Sequence, residues 1–398
     1  MPIVTNVFET LAKTNAARHG MPHQRTVYIT HPVWGKTAAQ LRVEIEGNDP
    51  VTGKPFMQSV IDGLTRPLSA ADKKGGTIQG VAGPRTIGPD TEANLRQYFE
   101  DNGFTDYLPI VLPTEARVAA MLKETSHKPD EIVGKMSPAR GAYPAWSYTV
   151  EQVAVNAVMA GARPEYFPVI LALAASGSSS MSSSTNSFAE MAVINGPIRN
   201  KIDLNYGIGA MGPYKHANAT IGRAWTLISK NLGHGAIAGE TYLGALGNPV
   251  NYNNIIIAEN EEANPWQSLS VDKGYKATDN TVSIFMGYGI FSAQGTVAGR
   301  ISNDPKFDQQ LKGVFSTLNG MFGGFAVLDP TVAQNLYDHG YTTKEKLVNY
   351  IMSGAKGEHP EFRRPTDISL VVTGGRTNLY YDYGPMRYIK TVSIDDWK

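Results

Sequence analysis

Five short runs of aliphatic and β-branched residues, at 191–194, 254–258, 282–286, 325–328 and 368–373, recur between stretches of helical periodicity. A strand covered on both faces reads as an unbroken apolar run, and helices between such strands supply the cover. The pattern predicts an α/β fold: a mixed or parallel sheet covered by helices.

The chain has 398 residues, 42% of them hydrophobic, enough for one large core or two moderate ones. Residues 1–70 read as a smaller N-terminal α/β unit, with helices over 8–18, 37–46 and 55–64 and a strand over 26–30. Asp49-Pro50 and Thr52-Gly53 mark the turn between its last two helices. Over 71–90, Gly75-Gly76-Thr77-Ile78-Gln79-Gly80, Gly83-Pro84 and Gly88-Pro89 suit a linker or long loop. The main domain is then 91–398. It opens with helices over 91–102 and 114–124, whose capped starts are Asp90-Thr91-Glu92 and Pro113-Thr114-Glu115, and an apolar helical pair follows at 150–160 and 165–175. No internal repeat is visible.

Thirty-six basic residues balance thirty-six acidic ones, which leaves no net field to draw the chain onto phosphate backbones or anionic lipid. Nucleic acid is therefore not an expected partner. The sequence has no cysteine, which excludes disulfides, thiolate nucleophiles, iron–sulfur clusters and thiolate zinc sites within this chain. Residues 1–20 lack the apolar core of a signal peptide, so the cytoplasm is the expected location. No uncharged apolar run approaches the about 18 residues of a membrane span. No membrane association is expected.

Polar, charged and glycine residues gather at the ends of apolar segments between 195 and 266, where open α/β sheets form their sites. Asn195-Gly196-Pro197-Ile198-Arg199 follows a predicted strand and puts Asn195 and Arg199 at its carboxyl edge, where a guanidinium suits a carboxylate or phosphate. A turn with a surface arginine is the equal alternative. Gly207-Ile208-Gly209-Ala210-Met211-Gly212 satisfies the dinucleotide pattern in letters only. A polar stretch precedes it, Pro213 follows it, and the first carboxylate after it is Glu240. The loop reads better as the approach to a helix over 218–232 capped by Asn218 or Thr220, with Lys215, His216 and Arg223 near an N-terminus suited to an anion. A tight turn that uses its glycines for nothing else is the commoner alternative.

Ile255-Ile256-Ile257 runs into Glu259-Asn260-Glu261-Glu262, with Pro265-Trp266 behind. Three crowded carboxylates raise one another's pKa, so Glu259, Glu261 and Glu262 are candidates for acid–base catalysis or for a divalent metal, with Asn260 and Trp266 beside a substrate. The bland alternative is a solvated acidic turn. The serine-rich segment 176–184 has no lysine in or near it, which argues against Ser-Ser-Lys amidase chemistry, and 178–187 reads as a loop or lid. His216 and His234 lack metal-motif spacing.

Gly103-Phe104-Thr105-Asp106-Tyr107-Leu108-Pro109, Arg163-Pro164-Glu165-Tyr166-Phe167-Pro168, Asn195-Gly196-Pro197-Ile198-Arg199, Ala217-Asn218-Ala219-Thr220-Ile221-Gly222-Arg223-Ala224 and Ala258-Glu259-Asn260-Glu261-Glu262 resemble a bacterial family associated with selenocysteine-Gly-Ser-Cys (UGSC-motif) proteins. The resemblance covers about 98–266 well and the C-terminal third loosely, and 3–64 look like the half of a UGSC-type domain that follows its redox motif. That motif is missing here, and Ala162 stands where a cysteine is expected. Because UGSC proteins resemble the substrate-activating selenoprotein of glycine reductase, the resemblance implies reductive or eliminative cleavage of a small organic substrate.

Three functions stay open. The chain is the non-thiol subunit of a heteromeric oxidoreductase or lyase, holding a small anionic substrate with Asn195, Arg199, Lys215, His216, Asn218, Thr220 and Arg223 beside a Cys- or Sec-containing partner. Or it is a self-sufficient lyase or hydrolase using the glutamates, alone or with a divalent metal. Or it is a non-catalytic subunit with Tyr380, Tyr381 and Tyr383 as interface aromatics.

Overall fold

The computed structural model describes all residues except 19, 76–83, 138–144, 236, 293–305, 319–322, 354–363 and 377–378, and the side chain at 18. The chain divides into two compact units, Met1–Pro89 and Asp90–Lys398. In the first, α1 (Glu9–Arg18) joins a parallel pair, β1 (Ile3–Thr5) and β2 (Val27–Ile29), and α2 (Ala38–Glu46) and α3 (Phe56–Thr65) follow. The buried Asp49 carboxylate makes the predicted turn: Oδ1 accepts from Val51 N at 2.8 Å and Thr52 N at 3.0 Å. Its Oδ2 accepts from Tyr28 N at 2.9 Å, tying the turn to β2. Composition put 71–74 in the linker. Here the chain forms neither helix nor strand, and Asp72 pairs with Arg25 at 2.5 Å and accepts from Ser69 N at 2.8 Å within the first unit. The glycine-rich core of the expected linker, 76–83, lies outside the described residues.

The second unit opens with α4 (Glu92–Asp101) and α5 (Glu115–Leu122), capped by the Thr91 and Thr114 hydroxyls. A hairpin of β3 (Ile132–Met136) and β4 (Trp146–Thr149) leads into α6 (Val150–Met159), and α7 (Phe167–Ala175) follows. Two mixed four-stranded sheets then form, not one. The first runs β12 (Met386–Ser393), β7 (Thr281–Gly287), β5 (Ala189–Asn195), β6 (Ile255–Ala258); the second runs β8 (Phe291–Ser292), β11 (Tyr381–Gly384), β9 (Gly324–Leu328), β10 (Ile368–Val372). In each, one parallel pair is bordered by two antiparallel strands.

The structure therefore contains a repeat that the sequence does not display. The first half runs β5, α8 (Ile198–Lys201), α9 (His216–Asn231), β6, β7, β8, with α10 (Leu269–Asp272) between β6 and β7. After α11 (Phe307–Phe315), the second half runs β9, α12 (Pro330–Asp338), α13 (Lys344–Met352), β10, β11, β12. Each half gives its last strand to the other's sheet. Where the two donated strands cross, Tyr288 N donates to Pro385 O at 3.3 Å. A Cβ on Gly287 would lie 1.8 Å from Pro385 O, and one on Gly384 2.1 Å from Gly289 O, so both positions need glycine.

The pleat sorts the apolar runs into three cores. Ala192, Ile194, Val282 and Ile284 face α6, α7 and α9. Ala326, Leu328, Leu370 and Val372 face α11, α12 and α13. Met191, Val193, Ile257, Phe285, Phe325, Val327 and Val371 fill the space between the sheets. The unit is thus a four-layer stack, helix, sheet, sheet, helix. Among the described residues no helix is long and apolar enough to cross a membrane.

Candidate functional site

The parallel strands of each half end at a crevice, and corresponding residues stand at its floor. Glu259 N donates to Ile194 O at 3.2 Å in the first half, as Thr373 N donates to Leu328 O at 3.0 Å in the second. Asn195 thus corresponds to Asp329, Glu259 to Thr373 and Asn260 to Gly374.

The first crevice is closed. Asn195 Nδ2 donates to Glu259 Oε2 at 2.6 Å and Glu261 Oε1 at 2.8 Å, and Leu269 N donates to Glu259 Oε2 at 2.7 Å. Arg199, 2% exposed, spends its guanidinium on the Glu259 carbonyl, on Glu261 Oε2 at 3.0 Å and on both Glu262 oxygens at 3.0 and 3.2 Å. Crowding was expected to raise the glutamates' pKa values together. Instead Glu259 and Glu262 diverge. Burial, ahead of any charged neighbour, pushes Glu259 up. Burial is also the largest single influence on Glu262 and acts upward, but the hydrogen bond and charge of Arg199, joined by bonds from the Glu262 backbone and Asn200, together outweigh it and the net shift is downward. Among the described residues, no group of three or more His, Cys, Asp or Glu is arranged to hold a metal ion.

The other residues expected around a substrate do not converge. Lys215 pairs with Asp203 at 2.7 Å and Arg223 with Asp106 at 2.8 Å. The expected cap is corrected: α9 begins at His216 with no side-chain cap. Asn218 lies inside its first turn because its Oδ1 is held by Asn205 N at 2.9 Å, and the Thr220 hydroxyl donates back to His216 O at 2.9 Å. His216 lies against Tyr166, its pKa lowered by burial. Asn260 bridges the halves, its N donating to Val372 O at 2.7 Å and its Nδ2 to Gly374 O at 3.2 Å. Trp266 Nε1 donates to Tyr341 O at 2.7 Å.

The serine-rich segment is no lid, because buried bonds pin it: Trp225 Nε1 donates to Ser178 O at 2.9 Å and Asn251 Nδ2 to Ser180 O at 2.8 Å. The fold brings to it the lysines that sequence proximity did not. Lys390 Nζ donates to Ser176 O at 2.6 Å, and Lys135 lines a cavity of about 130 Å³ with Ser178, Ser179, Ser182 and Glu190.

The second crevice is open. It holds a cleft of about 370 Å³ floored by Asp329, Thr373 and Gly374-Gly375, walled by Tyr380, Tyr381 and Asp382, and roofed by 208–212. The loop that resembled a dinucleotide motif is thus an arm from the first half, fixed where Gly374 N donates to Tyr206 O at 2.9 Å. Asp329 caps α12, accepting from Thr331 N at 2.7 Å and Val332 N at 2.8 Å, and its other oxygen accepts from Tyr380 N. Burial raises its pKa against those bonds. Asp382 is different. Its Oδ1 is sealed from solvent with no hydrogen-bond partner among the described residues, and burial raises its pKa against one opposing bond from Ser292. Tyr381, read as an interface aromatic, is 2% exposed, with its hydroxyl pushed up to about 12 by burial.

Sequence reasoning missed Asp382, Asp329 and Gly374-Gly375. The faint signals were Thr373-Gly374-Gly375 after a predicted strand and Asp329-Pro330 after another, the same punctuation that drew attention to Asn195-Gly196-Pro197. No family model, curated protein or solved structure matches the chain.

Proposed function

We propose that the chain is a small-molecule lyase or hydrolase that works by proton transfer in the open cleft, with Asp382 as general acid or base. The contrast between the two crevices carries the reading: the same frame is plugged with paired charges in one half and left in the other as a cleft lined by a carboxylate that keeps one oxygen without a partner. A carboxyl group held above its ordinary pKa exchanges protons closer to neutral pH, and such groups gather at catalytic sites. The volume lies within the range of small-ligand pockets. The glutamates at 259, 261 and 262 then serve the frame, and the acid–base work expected of them moves to the second half.

The test compares the wild-type protein with Asp382→Asn. Each is incubated with a small-molecule extract of the source cells, and the mixture is followed by untargeted mass spectrometry. A compound consumed by the wild type and spared by the folded variant is expected. Equal consumption by both proteins removes Asp382 from the chemistry.

A second reading, a non-thiol subunit beside a Cys- or Sec-bearing partner, draws support from the lack of cysteine in all 398 residues. Native mass spectrometry of protein taken from its own host tests it. A homo-oligomer alone would count against it.

A further inference from the structure

We propose that the ligand of the open cleft carries a primary ammonium group, an inference that rests on reading the cleft as the ligand site. The closed crevice indicates what the frame accepts. There the arm arriving from the second half delivers the Lys344 ammonium, 2.8 Å from Asp272 Oδ2 and 3.8 Å from Glu259 Oε1, with a side chain only 12% exposed. In the open crevice the arriving arm is Ile208-Gly209-Ala210-Met211-Gly212, which carries no charge and little bulk. Lys344 opens α13; its counterpart opening α9 is His216, which is not among the described residues lining the open cleft.

The walls match such an occupant. None of the described residues lining the cleft is Lys, Arg or His, and two are aspartates. Asp329 is satisfied by three backbone N–H groups, whereas Asp382 keeps an oxygen without a partner. A buried carboxylate in that condition is costly, and a cation close by offsets the cost through the low local dielectric. An anionic ligand meets like charge instead. The cations once expected to hold an anion are all engaged elsewhere, Arg199 by Glu261 and Glu262, Lys215 by Asp203, and Arg223 by Asp106.

Met211 in the roof provides a reporter in the full chain. The methionine methyls are labelled with ¹³C, and the Met211 signal is assigned by its loss in Met211→Leu. The protein is titrated at pH 8 and constant ionic strength with n-butylamine, then n-butanol, then butyrate. We expect butylammonium to shift the Met211 signal saturably and to bind about ten-fold more tightly than either analogue, with Asp382→Asn erasing that margin. A margin that survives in Asp382→Asn overturns the role given to Asp382, whereas butanol or butyrate binding as tightly as butylammonium overturns the ammonium assignment and leaves the cleft a ligand site. No saturable shift with any of the three overturns both.

Discussion

Phe285 of β7 and Phe325 of β9 meet edge to face between the two sheets, ring centres 4.7 Å apart and planes at 69°. Each is fully buried, and together they bridge strands from opposite halves. Phe325→Ala therefore removes both its apolar burial and the aromatic contact, and is expected to cost about 3–5 kcal/mol. Urea unfolding measures it. A loss under about 1 kcal/mol would mean that the sheets are held together elsewhere.

Glycine substitutions separate crossing from mere flexibility. Gly287→Ala and Gly384→Ala drive a methyl group into a backbone oxygen at the strand crossing, and we expect neither variant to accumulate as folded protein. Gly313, inside α11, has nothing within 4 Å of its missing Cβ. Gly313→Ala should instead stabilise by about 0.5–1 kcal/mol, as alanine does for glycine within a helix. A soluble Gly287→Ala protein of unchanged melting temperature would contradict the crossing.

Arg199→Met leaves Glu261 and the Glu259 carbonyl facing an apolar side chain. Breaking one side of such a buried pair costs about 3–5 kcal/mol. Arg199→Lys should recover only part of this, because one ammonium cannot span Glu261, Glu262 and the carbonyl together. Equal stability of the lysine variant and the wild type would show that charge alone matters there.

The Asp382 carboxyl has a folded-state pKa above its ordinary value of 3.8, so the native state holds this proton more tightly than the unfolded chain does. Its stabilising contribution is complete below pH 3.8 and is lost as the pH rises through the folded value. Asp382→Asn has no such proton to lose. The variant is expected to gain stability relative to wild type as pH rises from 4 to 8, in parallel melting curves, while giving up function. A stability difference that stays flat with pH would be inconsistent with a half-buried carboxylate that keeps one oxygen without a partner.

Legibility followed burial and chemistry. The strands at 189–195, 255–258, 281–287, 324–328 and 368–372 were readable because both faces are buried, so their aliphatic runs are unbroken. β11 and β12 were not, since Tyr381-Asp382-Tyr383 and Arg387-Tyr388 mix aromatic and charged residues in strands that are less completely buried. The repeat escaped notice for the same reason in reverse: any aliphatic residue satisfies a doubly buried strand, and α8 has four residues where α12 has nine, so no periodic letters survive. The cluster from Asn195 to Trp266 was found because it crowds charges along the sequence. The open cleft was missed because 208–212, 329, 373–375 and 380–382 meet only through the exchange of arms between halves.

Two chains that trade their last strands form a symmetric homodimer, and joining such chains end to end yields the topology seen here. While the copies are identical, a substitution that fills one site fills both. Once they lie on a single polypeptide they are free to diverge, so that one site is closed by Arg199 of the first half and Lys344 of the second while the other stays open.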